Sequence, residues 1–171
     1  MEEIADKVFR IKNFISEEER LFLLSKIKNF DNWGDQIPTI SPADYWNDKR
    51  MNSNDPDLIF LLDSIQDKIS NYFLKKYKIT YPTIHRLYEK TNMDEHYDSE
   101  HDPSIKYGFI IYLNNDFDGG ELEYINLNFK YTPIPGDLLM HPADFYHTHR
   151  VNQIKNGTRY TILFFAKERQ K

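Results

Sequence analysis

The chain has 171 residues, 40% hydrophobic and 29% charged, which suits a single domain with a sizeable core. A net charge of −5 and a pI near 5.7 offer no general attraction for nucleic-acid phosphates or anionic lipid, and the lack of cysteine excludes disulfides and thiol chemistry. The acidic start Met1-Glu2-Glu3-Ile4 lacks the basic flank of a signal peptide, and no stretch approaches the roughly 20 apolar residues of a membrane span. A cytoplasmic protein without nucleic-acid or membrane partners is expected.

Lys7 to Ile11 reads as a short strand leading into a helix. Ser16 is its N-cap, Glu17 to Glu19 complement the helix dipole, and Ser16 with Glu19 forms a capping box. Leu21, Leu24 and Ile27 mark its core face. From Trp33 to Pro56 the periodicity gives way to turn residues, so a long loop is expected, either an irregular surface segment or a flap. As a flap it brings Trp46 and Arg50 to a substrate entrance. Asp55-Pro56-Asp57 then starts a second helix, whose Leu58, Leu61, Leu62, Ile65, Ile69 and Phe73 recur at helical spacing for packing on a sheet.

After Lys78 the pattern alternates. Thr80 to Lys90 reads as a strand with Ile84, Arg86 and Tyr88 on one face and His85 and Leu87 on the other. His85 is expected to face away from any site, and Arg86 to help hold substrate. In His96-Tyr97-Asp98, alternation sets His96 and Asp98 on one side. His101-Asp102 is the competing pair. Tyr107 to Asn114 is the clearest strand, with Gly108, Ile110, Tyr112 and Asn114 on a common face. Asn115 to Gly120 turns the chain into Glu121-Leu122-Glu123-Tyr124, Phe129 to Ile134 gives another strand, and Pro135-Gly136-Asp137 leads into Leu138 to Met140. His147 and His149 would face the same way on an extended strand. Asn156-Gly157 opens the last strand, where Arg159, Thr161, Leu163 and Phe165 point inward. The expected plan is one domain: residues 1–78 as helical support and flap, and 79–171 as a β core.

Two imidazoles and a carboxylate on one face suit ferrous iron and leave coordination positions for substrates. An inward arginine such as Arg159, ten residues after His149, presents a planar fork to a carboxylate. The order His96-Tyr97-Asp98, Tyr112-Leu113-Asn114, Gly119-Gly120-Glu121-Leu122, His149-Arg150-Val151 and Gly157-Thr158-Arg159 resembles the iron(II)- and 2-oxoglutarate-dependent dioxygenases, in particular their prolyl 4-hydroxylase-like branch. The resemblance covers roughly the C-terminal half and, more weakly, the N-terminal helices.

The resemblance implies a double-stranded β-helix (jelly-roll, cupin-like) core in a mainly β protein, with N-terminal helices on its outer face. It implies iron(II) bound by His96, Asp98 and His149, with His147 as the fallback to His149. It implies 2-oxoglutarate anchored by Arg159 and Tyr112, with Tyr88, Leu122 and Thr161 also in the cosubstrate pocket. The cosubstrates would be 2-oxoglutarate and O2, and ascorbate is allowed. The implied reaction hydroxylates an unactivated C–H, with a prolyl residue of a peptide or protein as substrate, and converts 2-oxoglutarate to succinate and CO2. Collagen-type members usually carry lysine where this chain has Arg159, so the match is nearer the arginine-using members. The alternatives are hydroxylation of a free amino acid or other small metabolite, and a cupin-like binding module without turnover.

Overall fold

The computed structural model describes residues 1–29, 44–47, 55–73, 76–80 and 82–169, with the backbone alone for 44–47. Strands β1 (Glu2–Ala5) and β2 (Val8–Ile11) form a hairpin of which the sequence suggested only the second arm. Helix α1 (Glu17–Lys28) follows, with the Ser16–Glu19 capping box in place, an arrangement worth about 1 kcal/mol. Of the expected stripe, Ile27 is buried and Leu24 packs against the core, but Leu21 is 51% exposed and Leu23 takes its place; Arg20 on the same side donates to the Leu113 carbonyl.

Strand β3 (Asp44–Asn47) interrupts the expected loop and pairs with a later strand. Helix α2 (Pro56–Tyr72) is capped by Asp55 and buries Leu58, Leu62, Ile65 and Ile69. Ten strands follow: β4 (Tyr77–Ile79), β5 (Thr83–Tyr88), β6 (Met93–His96), β7 (Ile105–Tyr112), β8 (Phe117–Gly119), β9 (Leu122–Tyr124), β10 (Phe129–Tyr131), β11 (Leu138–Pro142), β12 (His149–Val151) and β13 (Ile154–Glu168). The large sheet runs β1-β2-β11-β7-β13-β5-β3, with β4 and β8 also on β13, and the small sheet runs β10-β9-β12-β6. All pairings are antiparallel.

Alternation along β13 shows how the layers form. Tyr160, Ile162 and Phe164 join Phe109, Ile111, Leu138 and the apolar faces of α1 and α2 in one core. Leu163 turns the other way, toward a second core between the sheets built from Leu87, Ile110 and Tyr112 on one side and Met93, Leu122, Tyr124 and Val151 on the other. The helices thus cover the outer face of the large sheet, and its inner face is left to meet the small sheet. No helix among the described residues is long and apolar enough to cross a membrane.

Asn114, the last residue of the Tyr-Leu-Asn triplet, ties β7 to β13. It accepts from Tyr160 N–H and donates to the Thr158 carbonyl, fixing the backbone on both sides of Arg159.

Candidate active site

His96 ends β6 and His149 opens β12, and the two are direct partners across that antiparallel pair, with ring centroids 4.5 Å apart. Each ring is held at Nδ1 by a backbone carbonyl, Asp94 at 2.8 Å for His96 and His147 at 2.9 Å for His149. A proton on Nδ1 leaves the Nε2 lone pair free to bind a metal. Asp98 lies in the turn after β6. Its Oδ1 is 3.9 Å from His96 Nε2 and 3.8 Å from His149 Nε2, separations that one ion with ligands at about 2.0–2.2 Å could bridge. Ligand atoms of the three residues all lie within 4.8 Å of one another.

The electrostatics favour a cation here. Burial pushes Asp98 up to about 6, with His96 opposing, and pushes His149 down to about 4. His96 is lowered by burial and by the neighbouring His149. Near neutral pH the cluster therefore presents two neutral imidazoles and one desolvated carboxylate, the deprotonated donor set that a divalent metal requires.

The same cavity, about 530 Å³ in volume, is also lined by Arg159, Thr161 and Leu122. It is large enough for a small organic ligand. Arg159 is 2% exposed, its Nε has no partner, its Nη1 reaches Thr161 Oγ1 at 3.5 Å, and its guanidinium lies 5.2 Å from the Tyr112 ring centroid. Among the described residues no carboxylate forms an ion pair with it. A buried cation without an anion is costly, so the position favours an anionic ligand. The hydroxyls of Tyr112 and Tyr124 are likewise buried without partners just behind the cavity lining. Burial raises both tyrosines, with Arg159 opposing at Tyr112, and Tyr112 and the charge of Asp98 add to the effect at Tyr124.

The structure therefore brings together His96, Asp98, His149, Arg159, Thr161 and Leu122, with Tyr112 against the arginine. It separates others. Tyr88 and Arg86 do not line the cavity, because the inner face of β5 carries Thr83, His85 and Leu87. The expected phase of this strand is reversed. His85, expected to face away, is buried in the cavity wall opposite Thr161. The pairing of Leu87 with Arg159 and of His85 with Thr161 was the available signal, since an inward Arg159 requires inward partners across the ladder.

His147 is not on an extended strand. It closes a 3₁₀ turn (Phe145–His147), where its ring contacts Asp144 Oδ1 at 2.6 Å and the Asp6 carbonyl at 3.1 Å. Asp102 is engaged by Lys167 and Ser104, and among the described residues the competing His101-Asp102 pair forms no ligand cluster. Of the two residues expected at the entrance, Arg50 and the Trp46 side chain lie outside the described residues. Sequence reasoning gives no site role to His141, set aside as an iron ligand by its spacing, or to Tyr124, read only as part of a strand; both are buried at the site.

Residues 82–167, half of the chain, match the sequence profile of the 2OG-Fe(II) oxygenase superfamily. The chain belongs to this superfamily. It is a 2-oxoglutarate-dependent dioxygenase, a class that uses Fe(II), 2-oxoglutarate and O2. No curated protein sequence matches the chain. Among solved structures, the viral collagen prolyl hydroxylase of Paramecium bursaria Chlorella virus-1, in complex with 2-oxoglutarate, is similar at 16% identity and a TM-score of 0.73, covering 98% of this chain and 100% of that one. A prolyl-4-hydroxylase from Pseudomonas putida gives 13%, 0.74, 96% and 94%. A Trichoplax adhaerens prolyl hydroxylase, in complex with a hypoxia inducible factor peptide fragment, gives 20%, 0.74, 95% and 84%. The dioxygenase chain thus has the double-stranded β-helix fold of these proteins, with its helices on the outer face.

Proposed function

We propose that His96, Asp98 and His149 hold iron(II), that Arg159 anchors the distal carboxylate of 2-oxoglutarate, and that the enzyme hydroxylates a prolyl residue in a peptide or protein. The observation that carries this reading is a facial His-Asp-His cluster and an unpaired buried arginine lining one cavity. Either feature alone has a structural explanation. Together they match a cosubstrate that chelates a metal at one end and carries a carboxylate at the other.

Bound iron would supply oxygen activation and C–H cleavage, and the protein's part is positioning. The backbone carbonyls of Asp94 and His147 hold the two imidazoles with Nε2 toward Asp98. Arg159 offers a fork of donors to the carboxylate, braced by the Tyr112 ring beneath it and by Thr161. The Tyr112 and Tyr124 hydroxyls are also buried donors without acceptors, and we assign both to the cosubstrate. Leu122 closes the wall and excludes water.

The prolyl assignment draws on the mouth of the cavity. Tyr97 lines it and meets Phe145 edge-on at 5.8 Å, and Phe145 is 70% exposed. An aromatic shelf of this kind suits a flat apolar ring such as pyrrolidine. The three similar structures are prolyl hydroxylases.

Anaerobic titration of Fe(II) and 2-oxoglutarate tests the first part through the visible charge-transfer band of the chelate. The band is expected in the native protein and absent in His96→Ala; its failure to form in folded native protein would leave a binding module without turnover. Succinate release in air then tests the substrate. Stimulation by proline-containing peptides supports the prolyl reading, and stimulation only by free amino acids replaces it with a small-metabolite hydroxylase.

A further inference from the structure

Among the cavity histidines that have no part in that scheme, His141 is the one set against Asp98. His141 lies on β11, and its side chain, 1% exposed, enters the site from the large sheet. Its Nε2 is 3.5 Å from Asp98 Oδ2, while Oδ1 of the same carboxylate faces His96 and His149. Its Nδ1 is buried and has no partner. A neutral imidazole has one N–H and one lone pair. With the proton on Nδ1, an unpaired donor would be buried and a ring lone pair would face Oδ2. With the proton on Nε2, the ring donates to the carboxylate and only an acceptor stays unpaired, which is the less costly arrangement.

Two further contacts fit this role. The ring is wedged edge-on against His149 (4.7 Å, 80°) and Tyr124 (5.4 Å, 77°), which fixes its plane. Gly108 gives the room: a Cβ there would lie 2.2 Å from Asp98 Oδ2 and 2.7 Å from His141 Nε2. At 3.5 Å the two atoms are in close polar contact just short of a formed hydrogen bond, and catalytic contacts in ligand-free sites are often long and tighten when the site is filled.

We propose that His141 is a positioning residue that holds Asp98 by its outer oxygen, so that the carboxylate meets the metal through Oδ1 alone. The inference rests on the metal-site assignment made above. A carboxylate can bind a metal through one oxygen or both. Asp98 bound through both would occupy a position that 2-oxoglutarate needs, so His141 keeps that position open. It acts through Asp98 and does not touch the cosubstrate.

The test uses the full-length apo protein with Co(II) as a spectroscopic probe, comparing native protein, His141→Phe and His141→Gln. The expected result is that His141→Phe keeps the native melting temperature but binds 2-oxoglutarate to the Co(II)-loaded protein roughly 10-fold or more weakly, with an altered visible spectrum, while His141→Gln, which retains a donor, recovers most of both. Should His141→Phe fail to fold, His141→Met against His141→Gln gives the same comparison at similar side-chain length. Binding within about twofold of native in the donor-less variant overturns the proposal. Complete loss of Co(II) uptake, equal to that of His149→Ala, also overturns it, because His141 would then be a ligand. If the native protein takes up no Co(II), the metal-site assignment itself falls and this proposal with it.

Discussion

His149 lies opposite His96 across the β6–β12 pair, while His147, two residues earlier, turns its ring out of the strand plane and into a contact with Asp144 and the Asp6 carbonyl. The two neighbouring histidines therefore serve different ends. His149→Ala should weaken Co(II) or Fe(II) binding by at least about 100-fold with little change in folding, the upper range for disturbing a metal site. His147→Ala should leave metal affinity within severalfold and lower stability by about 1–3 kcal/mol, the cost of unpairing buried groups. Calorimetric titration and urea unfolding separate the two effects, and the reverse ranking would place the metal elsewhere.

Arg159 is a buried cation whose partner is expected to be the ligand. Arg159→Ala should raise the KM for 2-oxoglutarate on the order of 100-fold, equivalent to about 2.7 kcal/mol, and should leave metal uptake intact. Arg159→Lys should recover part of the loss, because a point charge replaces a two-pronged donor. Steady-state succinate assays give the KM, and an unchanged value would remove the arginine from the cosubstrate.

The Tyr112 hydroxyl is buried without a partner beside that arginine. Tyr112→Phe keeps the ring beneath the guanidinium and deletes only the donor. It should weaken 2-oxoglutarate binding roughly 10-fold, about 1.4 kcal/mol, with a smaller effect on melting temperature. A fall in melting temperature without a change in 2-oxoglutarate affinity would assign the hydroxyl a structural role.

What was legible in the sequence follows from how local each signal is. The capping box of α1, the period of α2 and the alternation of β7 and β13 are set by neighbouring residues, and the layers they imply are the ones observed. The face of β5 was misread because Ile84, Arg86 and Tyr88 form as plausible an alternating set as Thr83, His85 and Leu87. Only pairing with β13 decides between them. Alternation could not separate His147 from His149 for a related reason: the 3₁₀ turn that removes His147 from the strand is set by the Asp144 carboxylate accepting from the backbone N–H of His147. Spacing sets His141 aside as an iron ligand but gives it no other role, because its role depends on Asp98, 43 residues away in sequence and in contact only once β11 has packed.

Gly108 gives a test of packing at the site. A methyl group there would meet Asp98 Oδ2 and His141 Nε2 well inside van der Waals contact, and both belong to side chains held in place by their surroundings. Gly108→Ala should therefore fold, since β7 keeps its ladder, but should bind metal at least about 10-fold more weakly because Asp98 is displaced. Circular dichroism with a Co(II) titration checks both halves, and native metal affinity would mean that Asp98 moves without consequence.

The pH dependence has two components of opposite sign. Asp98 is raised by burial to about 6, above an unfolded value of about 3.9, so its contribution to apo-protein stability is fully present below about 3.9 and is lost as pH rises through 6. His149 is lowered by burial to about 4, below an unfolded value of about 6.5, so its contribution is present above 6.5 and is lost as pH falls toward 4. Metal binding needs both groups deprotonated, and Asp98 is the one that still carries its proton just below pH 6. Metal affinity should therefore rise by about tenfold per pH unit between about pH 4 and pH 6 and flatten above it. The same desolvated carboxylate predicts that Asp98→Asn, although it removes a ligand, raises the melting temperature of the apo protein at pH 8 and not at pH 4. Equal melting temperatures at pH 8 would mean that the carboxylate is already balanced by a charge within the fold, and the cluster would lose its electrostatic need for a cation.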